Sequence, residues 1–221
     1  AWLEECFEAA GAPYLALHDS DIAYGRRIRQ ELRERGAQHI VTVNFGVGGN
    51  DRKRVGDEFE VKLISRLLAE GGTVILAKGV GSVEVGRSER LASVLREKGW
   101  RVIEIRKEET ISSVNASEAS SPLLVTWQGE IGAFCGLIAA SDLYLGYDSA
   151  GQHFAAALGV PTIDIFVDRT YPMIAKRWRP SGPGIVKLVD AVAGAHATGP
   201  RANEGLLSQV LECYHQIRAR S

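Results

Sequence analysis

From residue 39 onward the chain keeps to one alternation: a short apolar run, a break rich in glycine, then a stretch of helical period. HIVTVNF (39–45) is β-branched and stops at GVGGNDR, and VGDEFEVKLISRLLAEGG follows with helical spacing and a Gly-Gly stop. TVILA (73–77) stops at KGVGS, VEVGRSERLASVLREKG is helical, and RVIEI (101–105) is a third strand. After the Ser-rich loop ETISSVNASEASSP come a helix in QGEIGAFCGLIAAS, a strand in DLYLGY, a helix in SAGQHFAAALG and a strand in PTIDIF. IVKLV (185–189) reads as one more short strand. Strands alternating with helices across short joints build a parallel sheet wrapped by helices. The strand runs are apolar almost throughout, as strands covered on both faces must be. The expectation is therefore an α/β fold: one doubly wound, Rossmann-like domain over residues 37–200. Residues 1–36 supply a linker and flanking helices, the second capped by Asp19, Ser20 or Asp21 and ended at Gly36. Residues 201–221 supply a closing helix that packs back.

Composition narrows the function classes. The 221 residues carry a net charge of −1, which gives no electrostatic case for nucleic acid as a partner. Arg52, Lys53 and Arg54 form a local basic cluster, which a solvated loop would also explain. Cys6, Cys135 and Cys213 are far apart and have no CxxC spacing, so reduced thiols in a cytoplasmic protein are the expectation, and neither zinc nor a disulfide framework. No apolar run approaches the roughly 20 residues that span a bilayer. The chain begins with Ala1 and its one methionine is Met173, which suggests a processed chain or a piece of a longer one.

In doubly wound sheets ligands bind beyond the carboxyl ends of the strands. Three loops in those positions carry chemistry. NFGVGGNDRKR (44–54) has three glycines that let backbone amides approach a ligand, a following helix whose N-terminus suits an anion, and Lys53 or Arg54 to add charge. It is not a Walker loop, because no GK[ST] ends it. AKGVGSVEVGRSERL (77–91) places Glu84 in the first turn of a helix. Glu84 is there either an acid favoured by the helix dipole or an acceptor for a sugar or ribose hydroxyl. In YDSAGQHF (147–154) a cap accounts for Asp148 or Ser149 but leaves His153 unexplained. His153 follows Ser149 by four residues, so both fall on about the same face of the first turn, where a polar cluster around free amides suits a phosphate.

With these residues in place, LIAASDLYLGYDSAGQHFAAALGVPTIDIF resembles the signature of glycosyltransferase family 9, the heptosyltransferase-like enzymes of lipopolysaccharide core assembly. Asp142, Asp148, Ser149, His153, Ala155, Ala157, Gly159 and Pro161 fit its pattern, while Ala150 stands where the family has Gly, followed directly by Gly151. The similarity runs from about Tyr14 to about Gly182. It implies the C-terminal half of a GT-B fold, the half that holds a nucleotide-sugar donor such as ADP-heptose, with no metal and no other cofactor. It further implies Gly48, Gly49, Lys53, Glu84, Asp148, Ser149, Ala150, Gly151 and His153 as the donor contacts. Inverting transfer would need a general base, and the glycan or lipid-linked acceptor, on a second domain; no catalytic base is assigned in this chain. The resemblance places such a protein in the cytoplasm, at most peripheral to the inner membrane. Two rivals remain open: a nucleotide-sugar epimerase-like domain, and a non-catalytic nucleotide-binding or scaffolding module of the same fold. Trp127, Trp178 and Tyr171 stack on a base or pack at the domain edge, and RTYPMIAKRWRPSGPG (169–184) reads as a loop that closes over the donor.

Overall fold

The computed structural model describes residues 13–106, 109–111, 122–167, 177–191 and 200–220. The first of the flanking helices read in residues 1–36, most of the Ser-rich loop, Tyr171 and the first half of the 169–184 loop lie outside them.

The chain runs α1 (Asp19–Glu34), β1 (Ile40–Asn44), a 3-10 turn (Asp51–Lys53), α2 (Asp57–Ala69), β2 (Thr73–Ala77), α3 (Ser82–Glu97) and β3 (Val102–Arg106). It continues β4 (Leu123–Gln128), α4 (Ile131–Ala139), β5 (Leu143–Tyr147), α5 (Ala150–Ala157), β6 (Thr162–Phe166), β7 (Val186–Asp190) and α6 (Pro200–Arg218). All seven strands pair in parallel, in the order β3-β4-β2-β1-β5-β6-β7. The expected parallel α/β sheet is thus observed, with one strand beyond the reading above. LLVTW, just past the Ser-rich stretch, is β4, and it inserts between β2 and β3.

Period-two alternation divides the strands between two cores. Val41, Val43, Leu143, Leu145, Ile163 and Ile165 face α2, α3 and α6, meeting Phe59, Leu63, Leu95, Leu207 and Tyr214. Each fully buried Leu or Phe there stabilises the fold by about 1.5–3 kcal/mol. The opposite face presents Ile40, Ile75, Val125 and Tyr144 to α1, α4 and α5. It is laced with buried polar groups, Thr42, Thr73, Thr162 and Asp164.

Helices α1 and α4 touch backbone to backbone. A Cβ on Gly25 would lie 2.0 Å from the Gly136 carbonyl oxygen, and one on Gly136 would lie 2.1 Å from the Asp21 oxygen. Only glycine fits either position. Asp142, which the family pattern singled out, anchors this layer. It takes Arg29 at 2.7 Å and Arg33 at 2.8 Å from α1 and accepts the Ile40 amide at 2.7 Å. The capping expectation for α1 is corrected: His18 occupies the N-cap and makes no side-chain cap bond. Asp19 and Asp21 lie inside the first turn, where their charge favours the helix dipole without a capping hydrogen bond.

Candidate nucleotide-sugar site

The chain leaves β4 on one side of the sheet and returns as β5 beside β1, so strand order reverses between β1 and β5. The loops after these two strands diverge there and open a crevice at their carboxyl ends. Lys53 comes from one loop and Asp148 from the other, and they meet across the reversal with Nζ 2.7 Å from Oδ2.

The β1 loop is shaped by short-range bonds. Asn44 Oδ1 accepts the Gly46 amide at 2.7 Å, and Asn50 caps the 3-10 turn by accepting the Arg52 amide. Gly48 and Gly49 take φ of 61° and 82°, the left-handed region that side chains disfavour. The basic cluster then splits three ways. Arg52 is exposed, and Lys53 turns inward to Asp148. Arg54 is drawn down onto buried Glu60 at 2.7 Å and onto Asp57 at 2.6 Å. Val55 donates its amide to the buried Tyr147 hydroxyl at 3.2 Å, which fixes where the loop enters α2.

Glu84 ties this loop to the next one. Its Oε1 accepts the amides of Val47 at 2.8 Å and Gly48 at 3.0 Å, and its Oε2 accepts that of Val80 at 3.4 Å. A Cβ on Gly79 would sit 2.5 Å from that same Oε2, so glycine there makes room for the carboxylate. Of the two roles open to Glu84, the geometry favours neither the plain dipole partner nor the sugar acceptor. The carboxylate serves as a cross-brace between the loops after β1 and β2. The Gly48 amide is correspondingly engaged with Glu84 and not turned toward a ligand.

At the start of α5, Ser149 is the N-cap residue but makes no capping bond. Asp148 instead holds the turn, accepting from Gln152 Nε2 at 2.9 Å on one oxygen while Lys53 takes the other. Gly151 lies over the Tyr144 ring: a Cβ there would come within 2.1 Å of the hydroxyl oxygen. Glycine at 151 thus makes room for the Tyr144 hydroxyl, and Ala150 is exposed at the mouth.

Beneath this turn lies a buried polar floor. Asp164 is in register with Gly146, which is in register with Asn44, so the three form one row across β6, β5 and β1. Asp164 is fully buried, and among the described residues neither carboxylate oxygen has a hydrogen-bond partner. Burial pushes its pKa up to about 8; the nearby Asp148 carboxylate raises it further and Lys53 opposes both. Burial likewise raises the Tyr144 phenol, whose oxygen faces Ser149 and Asn44.

Above the floor is a cleft of about 610 Å³. One end is polar, walled by Lys53, Asp148, Ser149 and the glycine loops; the other is lined by Trp127, Ile131, Phe134 and Phe154. Trp127 is almost wholly buried, stacks on Phe134 at 6.0 Å and donates its indole N–H to Tyr24 at 2.9 Å. It lines the cleft as a fixed wall. Trp178 is largely exposed and is not part of the lining.

Of the nine residues implicated by the sequence, Gly48, Gly49, Lys53, Glu84, Asp148, Ser149, Ala150 and Gly151 line the cleft. His153 does not. It is half-buried one turn further along α5, with Nε2 3.4 Å from Gln152 Nε2, so it abuts the residue that holds Asp148. Sequence reasoning passed over Gln152, whose signal was its spacing of four residues from Asp148, the spacing of helical neighbours. It also passed over Asp164, a lone acid inside an otherwise apolar strand, and Arg87, which lines the cleft and pairs with Asp51 at 2.5 Å. Among the described residues no three His, Cys, Asp or Glu side chains converge as metal ligands would, and no helix is long and apolar enough to cross a membrane.

No protein-family model and no curated protein matches the chain. Solved structures do. The structure of the glycosyl transferase family 9 from Veillonella parvula DSM 2008 superposes with a TM-score of 0.60 at 11% identity, covering 94% of this chain and 54% of that one. E. coli ADP-heptose lps heptosyltransferase II superposes with a TM-score of 0.50 at 14% identity, covering 90% of this chain and 54% of that one. The chain thus spans about half the length of these structures. At such identities the likeness is one of fold. The resemblance read from residues 137–166 and the superposition agree: the chain has the Rossmann-like α/β fold found in glycosyltransferase family 9 structures.

Proposed function

We propose that the cleft takes the nucleoside diphosphate sugar of an inverting glycosyl transfer, and that the chain is the donor-binding half of an enzyme resembling the lipopolysaccharide heptosyltransferases. One observation carries this reading. Lys53 and the first turn of α5 meet across the strand-order reversal at one end of a cleft whose other end is aromatic. A diphosphate fits the first end and a base the second. ADP-heptose, named for one of the superposed enzymes, is the donor to try first.

In the reaction an acceptor hydroxyl attacks the anomeric carbon, the bond from that carbon to the phosphate oxygen breaks, and the nucleoside diphosphate leaves. Lys53 and the amides opening α5 meet the charge that develops on it, as preorganised donors. Asp148 is not assigned as the base, because on this reading it lies on the donor side of the cleft. The proton goes to a group on the acceptor side, which this reading assigns to a second domain.

Calorimetry with ADP, UDP, GDP and their sugars tests the assignment. One nucleotide series should bind saturably, and Lys53→Ala should weaken it by at least about ten-fold, since a charge-assisted hydrogen bond is worth about 1.5–3 kcal/mol. Binding that ignores Lys53→Ala would refute the placement of the phosphates, and no binding at all would refute the nucleotide reading.

A further inference from the structure

The charged groups lining the polar end, Lys53, Asp148, Glu84 and Arg87, are already partnered, but the floor beneath them is not. Asp164 presents two buried carboxylate oxygens with no donor, and Gln152, which is fully buried beside Asp148, has an Oε1 with no donor either. The Tyr144 and Ser149 hydroxyls beside them are buried and unpartnered as well. A proton on Asp164 converts one acceptor into a donor, which is the least costly way to keep such a group inside a protein. Among the described residues Asp148 and Asp164 share one cation, Lys53. An incoming diphosphate must recruit that same lysine.

We propose that Asp164 is a positioning residue of the cleft: while it stays uncharged beside Asp148 and Lys53 the turn from β5 to α5 keeps the form that accepts a diphosphate, and losing its proton weakens anion binding. The inference rests on the nucleotide reading for its ligand, but not for its effect on the turn. Among the described residues the groups facing Asp164 are few. Tyr144 comes from β5, Asp148 from the following turn and Lys53 from the 3-10 turn. His153 is the titratable side chain of α5, and Asp190 of β7 lies on the same side of the sheet, in register with Phe166. Helix α6 covers the opposite face. Ionised Asp164 adds a second negative charge near Lys53, with no second cation among the described residues to balance it. If only the protonated form binds, the apparent affinity scales with the protonated fraction. With titration near pH 8, the dissociation constant for a nucleoside diphosphate should then rise about ten-fold between pH 7 and pH 9. The terminal phosphate, with its second pKa near 6, is already ionised across that window.

The experiment measures ADP, UDP and GDP affinity from pH 7 to pH 9 on wild type and Asp164→Asn, together with the Gly151 backbone amide shift by NMR without ligand. The wild type should lose about ten-fold in affinity and its Gly151 amide should move with a midpoint near pH 8. In Asp164→Asn, whose amide stands where the acid carries its proton, neither change should occur. A Gly151 shift that titrates identically in both proteins, or in neither, overturns the role of Asp164 whether or not a nucleotide binds. A Gly151 transition abolished by Asp164→Asn, with no nucleotide bound at any pH, upholds Asp164 and refutes the nucleotide reading alone. Should Asp164→Asn fail to fold, the 13C shift of the Asp164 carboxyl in wild type decides: a midpoint below pH 5 overturns the proposal.

Discussion

Asp164 also makes a prediction about stability that needs no ligand. Burial raises its folded-state pKa from 3.8 to about 8. For an acid shifted upward, folding favours the protonated form. Stability is therefore unaffected below the unfolded pKa, falls as pH rises between the two values, and levels off above the folded one. One pKa unit corresponds to about 1.4 kcal/mol, so the full penalty is on the order of 6 kcal/mol above pH 8 and about 4 kcal/mol at pH 7. Asp164→Asn removes the titration and keeps the shape. Urea unfolding of both proteins at pH 5, 6 and 7 measures the difference. The variant's advantage should widen by about 1.4 kcal/mol for each pH unit, whatever constant offset the buried amide introduces. Parallel stability profiles over that range would mean that Asp164 is ionised in the folded protein, and the argument from its burial and missing partners would be wrong.

Other expectations follow from contacts described above. Glu84→Ala leaves the Val47, Gly48 and Val80 amides without their acceptor, so their hydrogen exchange should accelerate and the protein should lose about 1–3 kcal/mol. Asp142→Ala strands Arg29 and Arg33 and the Ile40 amide, costing about 3 kcal/mol by chemical denaturation while nucleotide affinity at the distant cleft stays unchanged. Gly136→Ala drives a methyl into the Asp21 carbonyl and should lower stability by about 2 kcal/mol or more, with Ala at the open position Gly99 as the contrasting control for left-handed strain alone.

The fold was legible where local chemistry agrees with global packing. HIVTVNF, TVILA and PTIDIF are strands buried on both faces, and their composition admits little else. β4 escaped because it follows a Ser-rich stretch that has no helical pattern in its sequence, so the alternation that located the other strands did not predict it. The cleft was legible because strand-following loops in a doubly wound sheet must gather at one edge. What the sequence did not reveal is which partner each polar side chain takes. Glu84 reaches amides 36 and 37 residues away, and Arg54 folds onto Glu60 instead of facing a ligand. Those choices depend on where two loops lie relative to each other, which no local pattern encodes.

These internal partnerships bear on how the cleft would work. Lys53 is paired with Asp148, Arg87 with Asp51, and Glu84 with backbone amides, so no charge at the polar end stands unpartnered among these lining groups. An anion arriving there gains no bare cation; it must compete with Asp148 for Lys53. Since an ion pair with a half-exposed lysine is worth only about a kcal/mol in water, a diphosphate that brings two charges can win that exchange, and a neutral or singly charged molecule cannot win it as easily. The released Asp148 keeps its bond from Gln152 and has one oxygen free above the cleft, in position to accept a hydroxyl from whatever sugar the diphosphate carries. On this account Lys53 and Asp148 act in sequence as lock and reader, and Asp148→Asn should tighten binding of the free nucleotide while weakening the preference for the nucleotide sugar over it. A variant that weakened both equally would show that the pair holds the turn and does not gate the ligand.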